Sequence, residues 1–303
     1  MENAKLTCSV LGANGYIGRH LVYFLKERGF TVYAYGQNPT PHPSLPADIQ
    51  YNQFDIRNSE SVSLINFNVD FVFVFSGITG TKVSFDQYQL FTEVNEIGLL
   101  HVLDKIRTLE KKPKVIFPSS RLVYKGSHEP IKEEDEKEAK TIYAANKLNC
   151  ERFLETYRQH FDIPYTIFRI GVPYGNLFDD NFSYGTIGFF LSKAKQGLPI
   201  TLFGDGNLKR TFTHIESLCF QIINTILNKS SYNSIFNVGG ETFSLKEVAE
   251  SIARNYNITV EKISWPKEDL QLESGNTVFN SHKIDDLSKD ERKFTLLNWI
   301  NNQ

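Results

Sequence analysis

The feature that most constrains this chain is a glycine run near its start, Gly12-Ala13-Asn14-Gly15-Tyr16-Ile17-Gly18. It sits between an apolar stretch, residues 6–11, and a segment in which Ile17, Leu21, Phe24 and Leu25 fall on one helical face before Gly29. Glycines let the backbone turn tightly and let a ligand lie against it. The helix that follows offers unpaired amides to an anion. Between a strand and a helix, the run therefore reads as a seat for the pyrophosphate of a dinucleotide, formed by Gly12, Asn14, Gly15, Tyr16, Ile17 and Gly18. Without those neighbours it would be only a glycine-rich turn.

The alternation continues. Short apolar runs at 31–35, 70–75, 114–118 and 165–170 include several rich in valine, isoleucine and phenylalanine, as strands buried on both faces are. Val94, Ile97, Val102, Leu103 and Ile106 mark one helix between them, and residues 143–161 another. This order predicts an α/β fold, a Rossmann-type doubly wound parallel sheet over residues 1–171. After Val172 the rhythm changes. Glycine, asparagine and aromatic residues gather at 173–188, a helix is expected near 189–196, and the turn Gly204-Asp205-Gly206 follows. Ser244 and Glu247 form a capping-box pattern for a helix to about residue 256. Residues 172–303 are thus expected to form mainly a smaller C-terminal substrate-binding domain, with some segments returning to the first. Prolines at 39, 41, 43 and 46 make residues 38–46 a surface loop.

Composition excludes several partners. With 41% hydrophobic and 22% charged residues the chain can bury an ordinary core. A net charge of −2 gives no reason to expect nucleic acid or an anionic membrane. No apolar run approaches the ~20 residues of a membrane span. Cys8, Cys150 and Cys219 are far apart and odd in number, which suggests neither disulfides nor zinc, and no metal is expected. Strand-like sequence begins by Leu6, leaving no room for a signal peptide, so the cytoplasm is the expected compartment.

Tyr143 and Lys147 are four apart on the expected helix and so share a face. A free tyrosine has a pKa near 10, and a neighbouring cation can lower it by roughly 1–3 units, towards a range useful for proton exchange with a hydroxyl or carbonyl. Taken alone, the spacing fits a buried tyrosine and a surface lysine equally well. Ser119-Ser120 closes the run 114–118, where open parallel sheets carry ligand sites.

The chain resembles the NAD-dependent epimerase/dehydratase family, the extended short-chain dehydrogenases/reductases that process nucleotide sugars. The resemblance runs from about residue 6 to 300. It rests on Gly12/Gly15/Gly18, Phe54-Asp55-Ile56-Arg57, Asn95-Glu96-Ile97-Gly98, Ser119-Ser120-Arg121-Leu122-Val123-Tyr124 and Tyr143/Lys147. It continues through Phe168-Arg169, Pro173-Tyr174-Gly175, Phe203-Gly204-Asp205-Gly206 with Arg210, Phe212 and His214, and Phe236-Asn237-Val238-Gly239. The resemblance implies Tyr143 as acid/base, Lys147 as the cation that binds the nicotinamide ribose and lowers the tyrosine pKa, and Ser120 as the catalytic hydroxyl. Asp55 and Ile56 would meet the adenine, and Ser76, Gly77 and Asn95 would serve the cofactor. Ser120, Arg121, Tyr143 and the position of Val172 would face substrate, with Arg210 gripping its diphosphate.

Departures from the family pattern sharpen these expectations. Val172 replaces an asparagine common in relatives, and Thr211 an aspartate. Arg121 and Leu122 stand where 4,6-dehydratases keep an acidic pair, so loss of water is not expected. Gly36, followed by Gln37, stands where NAD users usually place an aspartate for the ribose; its absence removes a carboxylate that would repel a 2′-phosphate, which favours NADP(H) over NAD(H). The expected activity is reduction of a nucleotide-4-keto-6-deoxyhexose at carbon 4. The alternatives are a 4-epimerase with tightly held NAD and, remotely, a non-catalytic dinucleotide sensor. The resemblance also implies a homodimer built on the helices near residues 85–107 and 143–160.

Overall fold

The computed structural model describes residues 5–178, 185–288 and 295–303. The strands are β1 (Thr7–Leu11), β2 (Thr31–Gly36), β3 (Gln50–Gln53), β4 (Phe71–Val74), β5 (Lys114–Ser120), β6 (Tyr165–Ile170), β7 (Val172–Tyr174), β8 (Ile200–Phe203), β9 (Lys209–His214), β10 (Ser234–Asn237), β11 (Glu241–Ser244) and β12 (Val260–Ile263). Seven form one sheet in the order β3-β2-β1-β4-β5-β6-β10, every pairing parallel. Strand order reverses between β1 and β4. That is the point where an open parallel sheet leaves a crevice at its carboxyl edge.

Pleating explains the two helical layers. Along β1 and β4, Cys8, Val10, Phe71 and Phe73 enter one core, while Leu11, Val72 and Val74 enter the other. The first core packs against the helices Tyr16–Glu27 and Ile215–Ile226, through Leu21, Leu25, Leu218 and Ile222. The second packs against the helices Gly98–Arg107 and Ile142–Phe161, through Leu99, Val102, Cys150 and Leu154. Strands buried on both faces need apolar residues at every position, which is why the sequence shows runs rather than alternation.

A third core gathers Val172, Ile187, Leu191, Ile200, Phe212, Val248 and Ile252. It lies among the small sheets β11-β9-β7 and β12-β8 and the helices Gly185–Lys195 and Leu245–Tyr256. The capping box is present, with Ser244 Oγ accepting from Glu247 N and Ser244 N donating to Glu247 Oε2. Part of the glycine- and asparagine-rich stretch, residues 179–184, lies outside the described residues. Helix Gly185–Lys195 starts earlier than the spacing suggests. Two segments after residue 171 return to the large sheet: β10 pairs with β6, and helix Ile215–Ile226 covers the first core. Residues 38–46 form an irregular loop. Among the described residues no helix is long and apolar enough to cross a membrane.

Candidate active site

Two contacts force the glycines of the first loop. Gly12 has φ of +90°, and a Cβ there would lie 2.6 Å from the Phe75 carbonyl carbon and the Ser76 nitrogen. A Cβ on Gly18 would lie 2.1 Å from the Gly12 oxygen. The loop is thus pressed against the end of β4 and folded onto its own helix. Gly15 is the N-cap of that helix, and no side chain caps it. A bare helix N-terminus in a glycine cradle suits a pyrophosphate.

From this loop a groove runs both ways along the carboxyl edge of the sheet. One end, of about 540 Å³, is lined by Gly36, Gln37, Asn38, Asp55, Ile56 and Ser76 among others. The other, of about 210 Å³, is lined by Tyr16, Ile17, Gly18, Ser120, Tyr143 and Lys147 among others. Gly15, Phe75, Gly77 and Ile78 line both, so the two ends are one groove. Its glycine cradle and the polar residues lining both ends fit a nicotinamide dinucleotide.

At the wide end the sequence reading needs two adjustments. The side chain of Asn14 is occupied within the protein: Nδ2 donates to Thr40 O and Tyr51 Oη, and Oδ1 accepts from His42 N. It thereby fastens the proline-rich loop. Gly36 is also more than a missing carboxylate. A Cβ there would lie 2.7 Å from Tyr51 Oη, so the phenol of Tyr51 fills the space an aspartate side chain would enter. That hydroxyl donates to Asn38 O at 2.6 Å. Tyr51 lies on β3, a mostly polar edge strand that apolar periodicity does not mark, and no sequence signal points to it. The Asp55 carboxylate is held by the Arg57 guanidinium at 2.6 Å, which keeps its pKa below the usual carboxylate range.

Asn95 is hydrogen-bonded to a residue of the groove wall. It is buried on the π-helical turn Glu93–Ile97, where Oδ1 accepts from Ile78 N and Nδ2 donates to Ile78 O. It pins the groove wall instead of lining it.

At the narrow end, β5 delivers Ser120 and the helix Ile142–Phe161 delivers Tyr143 and Lys147 to one pocket. Ser120 Oγ accepts from Leu122 N at 3.2 Å and opens the short turn Arg121–Val123. Lys147 Nζ donates to Pro118 O at 2.8 Å and lies 4.5 Å from the Phe117 ring centre. Burial pulls the Lys147 pKa down to about 8. Behind these residues runs a polar network that residue spacing does not reveal, although Phe168-Arg169 is among the family motifs. Arg169, 2% exposed, grips both oxygens of Glu151. Ser119 Oγ donates to the same carboxylate, and Arg169 Nη1 also donates to Tyr124 Oη and Glu133 O. The neighbour of Ser120 and the helix carrying Tyr143 are thereby tied to β6.

Beyond Ser120 lie the expected substrate residues. Val172 is packed in the third core, and its branched side chain follows the apolar surroundings of β7, so it offers a ligand an apolar contact only. Arg210 is 2% exposed, and its fork is turned into protein. Nη1 donates to Lys209 O and Gly275 O, and Nη2 pairs with Glu273 at 2.6 Å. Three internal acceptors thus engage the donors that the resemblance assigns to a diphosphate. Arg121 donates to Thr277 Oγ1 at 3.1 Å, near Arg210.

The comparisons agree with this geometry. The profile of the NAD dependent epimerase/dehydratase family matches residues 8–239. The chain is 29% identical over 262 residues to a UDP-N-acetyl-alpha-D-glucosaminuronate decarboxylase of Bacillus cytotoxicus, covering 82% of this chain and 79% of that one. It is 28% identical over 265 residues to a UDP-glucose 4-epimerase of Halalkalibacterium halodurans, covering 80% and 78%. The structure of a Thermus thermophilus UDP-glucose 4-epimerase in complex with NAD superposes with a TM-score of 0.85 at 24% identity, covering 98% and 97%. The chain belongs to the NAD-dependent epimerase/dehydratase family, enzymes of the extended short-chain dehydrogenase/reductase type.

Proposed function

We propose that this enzyme works at carbon 4 of a nucleotide-diphosphate sugar, oxidising it and reducing it again, and so interconverts carbon-4 epimers. The observation that carries this reading is the meeting of Ser120, Tyr143 and Lys147 at one end of the dinucleotide groove. A nicotinamide held in the groove would supply hydride exchange at that carbon. The protein's part is to hold the carbon-4 oxygen with Ser120 and to exchange its proton with the Tyr143 hydroxyl. The Lys147 ammonium, anchored on Pro118 O and 5.9 Å from the Tyr143 ring centre, favours the phenolate when the proton leaves. A relative over about four-fifths of the chain is named a UDP-glucose 4-epimerase, which supports turnover at this carbon.

The second reading is net reduction of a 4-keto-6-deoxyhexose nucleotide by NADPH, and the Gly36 corner favours it. No side-chain carboxylate leaves the end of β2, and the neutral Tyr51 hydroxyl takes its place. One measurement separates the two. Protein purified without added cofactor and denatured with acid should release NAD in near-stoichiometric amount, and should equilibrate a UDP-hexose with its carbon-4 epimer without consuming cofactor. Release of no dinucleotide, with stoichiometric NADPH oxidation on a 4-keto-6-deoxyhexose nucleotide, establishes the reductase instead. A homodimer through the helices of residues 83–107 and 142–161 completes the reading, supported by exposed Val83, Phe85, Tyr88 and Ile97. The three free buried cysteines suit a reducing cytoplasm.

A further inference from the structure

Arg121 carries a charge that the protein does not neutralise. It donates to the Thr277 hydroxyl at 3.1 Å, and the charges that act on it include the like-charged Arg210 and, in the opposite sense, the Glu273 carboxylate. The carboxylate in the neighbourhood, Glu273, is taken up by Arg210 at 2.6 Å and by Gly275 N at 3.0 Å. No ion pair to Arg121 forms within 4.0 Å among the described residues. Two guanidinium groups and one carboxylate leave one positive charge in a largely enclosed place. Burial first, and Arg210 second, pull the Arg121 pKa down to about 9. Arginine does not escape such strain by losing its proton, so the remaining remedy is an anion from outside.

Position says which end of the substrate that anion belongs to. Arg121 directly follows Ser120 on the turn that closes β5, and Ser120 lines one pocket together with Tyr143. Under the carbon-4 reading, on which this inference rests, Ser120 and Tyr143 hold the carbon-4 oxygen. In a hexuronate the carboxylate is borne by carbon 5, the next ring atom. A single carboxylate also matches the single unneutralised charge, and its two oxygens match the planar fork of arginine.

We propose that Arg121 is a specificity-determining residue that pairs with a carboxylate on the sugar ring, so that the preferred substrates are nucleotide-diphosphate hexuronates. Thr277 acts as a positioning residue that holds the guanidinium from behind. The anion closest in chemistry, the substrate's own diphosphate, is the competing partner and is separated by the test.

Calorimetric binding to the full-length protein loaded with NAD would use UDP-glucuronate, UDP-glucose and UDP alone. The uronate is expected to bind about 10–100-fold more tightly than UDP-glucose, the scale of one charge-assisted pair. In Arg121→Gln that ratio should fall towards one, with affinity for UDP changed less than about 3-fold. Arg121→Lys, which keeps the charge and loses the fork, should retain part of the preference. Equal binding of the two sugars by the unmodified protein overturns the inference. So does a loss in Arg121→Gln that is equal for UDP and for both sugars, since the partner is then the diphosphate. If the three ligands all fail to bind, the nucleotide-sugar reading falls, and this inference with it. If the uronate preference holds but no carbon-4 epimer forms, the inference stands and the epimerase reading fails.

Discussion

At the scale of single residues, buried amines are the informative groups, because burying an ammonium is costly unless function or hydrogen bonds require it. Lys147 is explained by the site. Replacing its partner, Tyr143→Phe, should lower turnover by roughly 10²–10⁴-fold, the scale of a positioned acid/base. Dinucleotide affinity measured by fluorescence quenching should change little. Turnover near that of the unmodified enzyme, when chemistry limits the rate, would falsify the assignment. Lys114 has no such role. It is 1% exposed, at the amino end of β5 and away from the groove, with Ser231 Oγ at 2.6 Å and the Tyr232 ring centre at 4.0 Å. Burial lowers its pKa from 10.5 to about 7. The unfolded chain then binds more protons between about pH 7 and 10.5, so this group makes the fold more stable as pH rises through that window. Lys114→Met removes the dependence. In urea titrations the variant should compare best with the unmodified protein at pH 6–7 and lose that relative gain towards pH 10. A stability difference independent of pH would mean that Lys114 keeps an ordinary pKa.

At the scale of elements, the corner formed by the end of β2, the edge strand β3 and the loop 38–46 works as one unit. Tyr51 reaches across from β3 to Asn38 O, and Asn14 from the glycine loop holds both Tyr51 and Thr40. Gly36→Asp alone should therefore push the Tyr51 phenol aside and loosen its hydrogen bond to Asn38 O, since its Cβ meets the Tyr51 hydroxyl at 2.7 Å. Paired with Tyr51→Ala, the aspartate gains the space the phenol held. Two unit charges at about 4 Å cost roughly 4 kcal/mol at an effective dielectric of 20, so the double variant should bind NAD well ahead of NADP. Titrations with both cofactors check this. If the ratio matches that of the unmodified protein, the ribose is recognised elsewhere.

At the scale of the whole molecule, chain order and spatial order part company after residue 171. Ile215, Leu218, Cys219, Ile222, Ile223, Ile226, Phe236 and Val238 all belong to the first core, beside β1 and β4. Burial of each large apolar side chain contributes about 1.5–3 kcal/mol, against a net stability of only about 5–15 kcal/mol for a typical domain. A chain ending at Gly171 should therefore lose its cooperative fold, although it holds every glycine of the loop and all of Ser120, Tyr143 and Lys147. A sharp thermal transition in that fragment, followed by circular dichroism, would show that the returning segments are dispensable.

Local sequence determined much of this. The strand-glycine-helix run, the apolar stretches of β1, β2, β4, β5 and β6, the Ser244–Glu247 cap and the Tyr143/Lys147 spacing all depend on neighbours within a turn or two, where periodicity and backbone sterics act directly. Family resemblance added the roles of Ser120 and the substrate half. Only the tertiary structure decided that Tyr51 fills the space beside Gly36, that Asn95 is bound to Ile78, that Val172 is core, and that Glu273 pairs with Arg210 while Arg121 has no ion pair among the described residues. Each of these joins residues from 15 to more than 60 positions apart, as in Gly36 with Tyr51 and Arg210 with Glu273. Charge neutralisation and steric exclusion act through space, so no pattern along the chain records which partner arrives first.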